Sequence, residues 1–209
     1  LGCGPGFGPA QKDRELQPAP GTYSQMPFHQ RRLPHWEALG RPVFVTFRLC
    51  GSLPPSRVFP GEQLTSGRAF VAMDRLLDGA RGGPLFLKRP EIARLVVRAL
   101  LDGQDRFRRY QLHAFVVMPN HVHLLATPHM AAARWLGPLK GYTARQANAL
   151  LGREGPFWQD ESYDHLVRNG EEFQRILRYI DNNPVRAGLA ASPAQFPWSS
   201  AGAEAPAAG

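Results

Sequence analysis

The sequence predicts an α+β domain, with helices packed on an antiparallel sheet. Three observations lead there. Strand-like and helix-like stretches follow the order strand, helix, paired strands, helix, short strand, helix. The strand-like stretches are β-branched and aromatic, as in Val43-Phe44-Val45-Thr46-Phe47-Arg48-Leu49. The last helix-like stretch carries one apolar stripe, Phe173, Ile176, Leu177 and Ile180, of the kind that covers a sheet. A chain of 209 residues, 43% hydrophobic, suits one domain with tails.

Taken in order, residues 1–41 form a Gly/Pro-rich extension expected to be poorly ordered in part. Thirteen of the 41 glycines and prolines fall in the first 42 positions, where they disfavour regular elements. Within it, Trp36 is read as a packing residue. The main domain is expected over 42–201, opening with a strand at 43–49 that Gly51 to Pro55 end. A short helix is expected over 69–77. Pro90-Glu91 then opens a clear helix, Pro at an early position and Glu in the first turn. Its residues Ile92, Leu95, Val96, Ala99 and Leu100 recur at helical spacing, and Gly103 is read as its end. Residues 110–118 and 121–127 read as a strand pair or one bent strand, turning at Pro119-Asn120. A helix follows over 131–151, with a possible break at Gly137-Pro138. Residues 155–168 read as a loop leading into an edge strand, and Asn169-Gly170 as a turn. The best-defined helix spans 171–182, with Glu171 and Glu172 at its N-terminus and Pro184 read as forbidding continuation. Residues 202–209 are a short tail expected to be disordered.

The 25 basic and 17 acidic residues give a formal charge of +8, which suits a polyanionic partner, nucleic acid first. Coding bias is the alternative reading of this charge, since 22 of the 25 are Arg and only 3 are Lys. The two cysteines, Cys3 and Cys50, form no Cys-x-x-Cys, so neither a zinc knuckle nor a disulfide framework is expected. No long apolar run predicts a membrane span, no signal peptide is visible, and a cytoplasmic location is expected.

The chemistry centres on Met118-Pro119-Asn120-His121-Val122-His123-Leu124-Leu125. Residues two apart on a strand share a face, so His121 and His123 make a two-ligand clamp for a divalent metal. With seven histidines in the chain, His-x-His alone is a weak signal. The last helix adds to it. Arg175, Tyr179 and Asn183 are spaced four apart and form a stripe beside the apolar one. A phenol is a poor nucleophile at neutral pH, and becomes useful when a metal ion polarises the electrophile. A phosphodiester on Mg²⁺ or Mn²⁺ is such an electrophile. Two imidazoles and one amide oxygen leave coordination positions for phosphate oxygens and water.

The chain resembles the HUH single-tyrosine transposases, in particular the REP-associated tyrosine transposases and their insertion-sequence relatives. The residues that carry the resemblance are Phe44 to Leu49, Val116 to Leu125, Leu139-Lys140-Gly141-Tyr142-Thr143-Ala144-Arg145 and Trp158-Gln159. Tyr179-Ile180-Asp181-Asn182-Asn183-Pro184-Val185-Arg186-Ala187-Gly188-Leu189 and Phe196-Pro197-Trp198-Ser199-Ser200 complete it. They run in order over roughly 42–201. The resemblance implies a ferredoxin-like (RRM-like) sheet with both histidines on a central strand. It implies Tyr179 as nucleophile and Asn183 as third metal ligand beside His121 and His123, with Mg²⁺ or Mn²⁺ as cofactor. It implies single-stranded DNA as partner, often hairpins or palindromic repeats, cut to leave a 5′-phosphotyrosine and a free 3′-OH, by a monomer or a homodimer. In some relatives the position before the histidines is acidic; here it is Asn120.

For DNA contact the candidates are Arg134, Lys140 and Arg145 beside Trp135 and Tyr142, because basic residues interleaved with aromatics suit single strands. Arg175 and Arg186 flank Tyr179 and are candidates to hold phosphates. Tyr163 is read as structural. The rival reading is a module that binds hairpin DNA without cutting it.

Overall fold

The structure, a computed structural model, describes residues 28–30, 34–36, 39–53, 77 and 83–202. The helix expected over 69–77 lies outside them save for Leu77, which is buried. Most of the Gly/Pro-rich extension and residues 203–209 also lie outside them. Within the extension, β1 (Phe28–Gln30) and β2 (Pro34–Trp36) pair antiparallel.

The main sheet is built from β3 (Val43–Arg48), β4 (Tyr110–Val117), β5 (His121–Pro128) and β6 (Tyr163–Leu166), in the spatial order β4-β5-β3-β6. All neighbours are antiparallel. Helix α1 (Pro90–Asp105) links β3 to β4, α2 (Ala132–Leu151) links β5 to β6, and α3 (Gly170–Arg186) follows β6. The succession β3-α1-β4-β5-α2-β6 with this strand order is the expected ferredoxin-like arrangement. Strands β5 and β3 are central, and β6 is the edge strand the sequence predicts. No helix among the described residues is long and apolar enough to cross a membrane.

The sheet is covered on both faces, so its strands are buried almost continuously rather than at alternate residues. Val43, Val45, Phe47, Val122, Leu124 and Ala126 face α1 and α2, in one core with Ile92, Val96, Leu100, Trp135 and Leu139. Phe44, Val116, Leu125 and Tyr163 face the other way, in a second core with Ile180, Phe173, Ile176 and Leu177 of α3. The strand pair is a tight hairpin rather than a bent strand: the Met118 N–H donates to the His121 carbonyl at 2.8 Å across Pro119-Asn120.

Three helix boundaries depart from the sequence reading. Gly103 does not end α1. It lies inside the helix, where a Cβ would collide with the Tyr110 phenol, whose Oη donates to the Leu100 carbonyl at 2.8 Å. Pro138 does not break α2, which forgoes one i→i−4 bond there and continues. Pro184 does not stop α3, which runs to Arg186 and ends in a Schellman motif. There the Leu189 N–H reaches the Pro184 carbonyl at 2.8 Å, the Gly188 N–H reaches Val185 at 3.0 Å, and Gly188 takes φ +69°. Asn169, read as part of a turn, is the N-cap of α3; its Oδ1 accepts from the Glu172 N–H at 2.8 Å.

Candidate functional site

Strand β5 turns His121 and His123 toward α3 while Val122 and Leu124 enter the opposite core. Both imidazoles are fully buried. Their Nε2 atoms face each other at 3.0 Å. Each Nδ1 has a polar partner: Asn120 Oδ1 at 2.7 Å for His121 and Thr46 Oγ1 at 2.7 Å for His123. The Asn120 amide nitrogen donates to the Leu77 carbonyl at 3.0 Å, so its Oδ1 faces His121. His121 Nδ1 is therefore the donor, and its Nε2 keeps a lone pair directed at His123. Outer partners of this kind fix the tautomer and orientation of metal-binding histidines. Sequence reasoning missed both Thr46 and Asn120 in this role. The available signal was Thr46 itself, a polar residue inside an apolar strand whose cross-strand partner is His123.

Helix α3 brings Tyr179 to the clamp. Its ring lies 5.7 Å from the His123 ring and 6.1 Å from Phe44, edge-on to both. The Arg186 guanidinium sits over the same ring at 5.1 Å. One turn beyond Tyr179, Asn183 is fully buried, and neither its Oδ1 nor its Nδ2 has a hydrogen-bond partner among the described residues. The cap of α3 is Ala187, so Asn183 is not the C-cap and its side chain is not spent on the helix end. An amide left this way costs about 1–3 kcal/mol.

The converging Nε2 atoms of His121 and His123, 3.0 Å apart, are donors that could hold a divalent cation. The orphaned Asn183 amide offers an oxygen from the facing helix. Among the described residues no three His, Cys, Asp or Glu side chains cluster, so the protein would supply only part of a shell. A cavity of about 100 Å³ adjoins His121, lined by Asn120, Lys88, Met118, Ala187 and Leu189 among others.

A family model described as "Transposase IS200 like" matches residues 92–183, a span that begins in α1 and ends on Asn183. The REP-associated tyrosine transposase of Escherichia coli K12 is 28% identical over 108 residues, covering 50% of this chain and 62% of that protein. A Haemophilus influenzae protein described as a putative REP-associated tyrosine transposase is 29% identical over 104 residues, 44% of this chain and 58% of its own. The chain resembles the IS200-like, REP-associated tyrosine transposases. It spans about three fifths of the length of these two relatives. A solved REP-associated tyrosine transposase bound to a REP hairpin superposes with a TM-score of 0.51 at 19% identity, covering 79% of each chain, and supports the fold.

Of the other sequence-predicted transposase residues, the structure brings only some near the clamp. Arg186 lies on Tyr179. Arg175 is exposed on the first half of α3, with a nitrogen 3.3 Å from Glu172. Arg134, Lys140, Tyr142 and Arg145 lie on α2, whose buried side packs on the face of the sheet opposite the histidines. Arg134, Tyr142 and Arg145 are exposed there, whereas Trp135 is a core residue. Lys140 turns inward: its ammonium donates to the carbonyls of Gln159 at 2.8 Å and Asp160 at 2.7 Å, and burial pushes it down to about 8. Tyr163 is buried, as its structural reading expects.

The start of α3 is also anchored. The Glu172 carboxylate accepts from the Arg168 N–H at 2.8 Å and lies 3.1 Å from His165 Nε2 on β6. Burial opposes its charge, but these partners outweigh burial and hold it below the usual glutamate range.

Proposed function

We propose that this chain is a metal-dependent single-stranded DNA endonuclease and strand transferase of the transposase type, with Tyr179 as nucleophile. The observation that carries the proposal is the convergence of two buried imidazole Nε2 atoms, 3.0 Å apart, with the Tyr179 ring 5.7 Å from His123. His121, His123 and the Asn183 amide oxygen would hold Mg²⁺ or Mn²⁺, which when bound supplies Lewis-acid polarisation of the scissile phosphate.

The residues of the chain do the rest. Tyr179 gives its proton to solvent and its oxygen forms a bond to phosphorus. The P–O3′ bond breaks, and the 3′ oxygen leaves with the electron pair and takes up a proton. The products are a 5′-phosphotyrosine and a free 3′-OH, and the reverse step reseals the strand. Arg186, over the Tyr179 ring, favours the phenolate as it forms. Thr46 and Asn120 keep the imidazoles turned to the ion, and Phe44 packs the Tyr179 ring in place. Burial of the clamp strengthens each of these interactions relative to water.

The charge of +8 and the hairpin held by the solved relative support a folded single strand, a hairpin or palindromic repeat, as substrate. Arg175 and Arg186 lie on the Tyr179 side, where the cut strand must pass. Arg134, Tyr142 and Arg145 on the opposite face would meet a more distant part of the same DNA, with Lys140 contributing chiefly through its position under them.

The experiment is incubation with a labelled hairpin bearing a single-stranded flank, in Mg²⁺ or Mn²⁺. A covalent adduct is expected that is lost with EDTA and with Tyr179→Phe. Binding without an adduct would favour a hairpin-binding module. Cleavage unaffected by Tyr179→Phe would point to a metallohydrolase using water.

A further inference from the structure

We infer that Arg48 contacts the scissile phosphate directly, as a catalytic residue that holds a non-bridging oxygen on the β6 side of the clamp. The inference rests on the transferase reading and adds a second guanidinium, besides that of Arg186 over the Tyr179 ring, to the proposed centre.

The placement follows from strand parity. In β3, Val43, Val45 and Phe47 enter the core with α1 and α2, so Phe44, Thr46 and Arg48 share the opposite face. Thr46 confirms the parity by meeting His123 Nδ1 at 2.7 Å. Two residues further, the register puts Arg48 directly opposite His121. Residues so paired have Cβ atoms about 4.5–5.5 Å apart on one face of the sheet. A guanidinium on a stem of that reach spans the distance to an anion held at the clamp.

The state of Arg48 suits an anion. It is half-buried, and burial is the largest influence on its guanidinium, holding it below the ordinary arginine value. Cys50 and Glu161 act on it electrostatically in the opposite sense. Among the described residues its side chain makes one hydrogen bond, Nη1 to Ser52 Oγ at 3.2 Å. A guanidinium has five N–H donors, so most of its capacity is open to a ligand. Lys140, whose charge acts on the same region, is already committed to two backbone carbonyls. Arg48 is thus a partly desolvated cation, at the strand position opposite His121, and the proposed substrate gains negative charge there as the phenol attacks. Planar, bidentate arginine is well matched to phosphate oxygens, and such donors act most strongly where water is excluded.

The test compares wild type, Arg48→Ala and Arg48→Lys on a labelled hairpin with a single-stranded flank, in Mn²⁺. Thermal unfolding shows whether each variant is folded, and hairpin affinity is measured separately from the single-turnover rate of adduct formation. Arg48→Ala should lower that rate on the order of a hundredfold while changing affinity little, and Arg48→Lys should recover part of it. A second readout replaces each non-bridging oxygen of the scissile phosphate by sulfur, one isomer at a time. Mn²⁺ tolerates sulfur on the metal-facing side, so the wild type should be slowed by the isomer that faces Arg48, and Arg48→Ala should lose that slowing. Arg48→Ala within threefold of wild type, or an unchanged sulfur effect in a slowed variant, would overturn the inference. If the wild type forms no Tyr179-dependent adduct at all, the transferase reading falls, and this inference with it.

Discussion

The two faces of the central sheet are built from alternate residues of the same strands, yet they are finished differently. On the α1/α2 side, Val122, Leu124 and Ala126 meet Ile92, Val96, Leu100 and Leu139 in an apolar core. On the α3 side, His121, His123, Thr46 and Asn183 are as deeply buried as those aliphatics. The polar set is only partly satisfied, because the Asn183 amide has no hydrogen-bond partner among the described residues. Burying polar groups in that condition opposes folding. One strand thus carries an apolar core on one side and a buried polar set, the proposed site of chemistry, on the other, at adjacent residues.

The sharpest way to break this division is to remove the clamp. His121→Ala and His123→Ala should each abolish adduct formation, by more than about a thousandfold, while sparing most hairpin binding. A gel-shift titration alongside the adduct assay checks this; survival of cutting in either variant would contradict it. The complementary substitution on the other face is Leu124→Ala. It should cost about 2–5 kcal/mol of stability, read by denaturant unfolding, and leave cutting intact at temperatures well below the transition. A loss of cutting in the folded variant would mean that the faces are not separable.

Asn183→Leu probes the polar face from the stability side. Replacing an unpartnered buried amide by an apolar side chain of similar size should stabilise the metal-free protein by about 1–2 kcal/mol. It should also remove the shift in melting temperature that Mn²⁺ gives the wild type. A destabilised variant, or one still protected by Mn²⁺, would remove Asn183 from the metal site.

An effect visible only as a pH dependence is expected at Lys140. Its ammonium is pushed down to about 8 in the folded chain, against an ordinary 10.5. Between those values the unfolded chain holds a proton that the folded chain has lost. This contribution to stability therefore rises with pH across that window. Lys140→Met should flatten the rise, measured as the difference between wild type and variant in denaturant midpoint at pH 7.5 and pH 10. A variant parallel to wild type would show that Lys140 stays charged.

Much of this was legible in the sequence. Strands β3 to β6, the three long helices and the stripe placing Tyr179 and Asn183 on one side of α3 all follow from periodicity and residue type. The departures have local causes. Gly103 was read as a helix end because glycine commonly is one, whereas here it makes room for Tyr110. Pro184 was read as a stop because its missing N–H and ring penalise a helix interior, yet a Schellman motif at Gly188 carries α3 one further turn. That turn frees Asn183 from capping, the point on which its proposed metal role depends. Periodicity shows which side of α2 is buried but not which face of the sheet it covers. It therefore could not separate Arg134, Tyr142 and Arg145 from the clamp. The Thr46–His123 contact and the proposed role of Arg48 needed the strand register, which sets residues 43–48 against 121–126, and the Asn120–His121 contact needed the side-chain geometry of the turn.

The central claim is that Tyr179 attacks DNA at the imidazole clamp. It is tested most directly by locating the nucleotide after reaction. A hairpin is incubated with the protein and Mn²⁺, the adduct is digested with trypsin and nuclease, and the modified peptide is sequenced by mass spectrometry. Cleavage after Arg178 and Arg186 releases the segment 179–186, and the account predicts a 5′-linked nucleotide on Tyr179 within it. A nucleotide carried by Tyr142 or Tyr163, or cleaved DNA with no peptide attached, would contradict it.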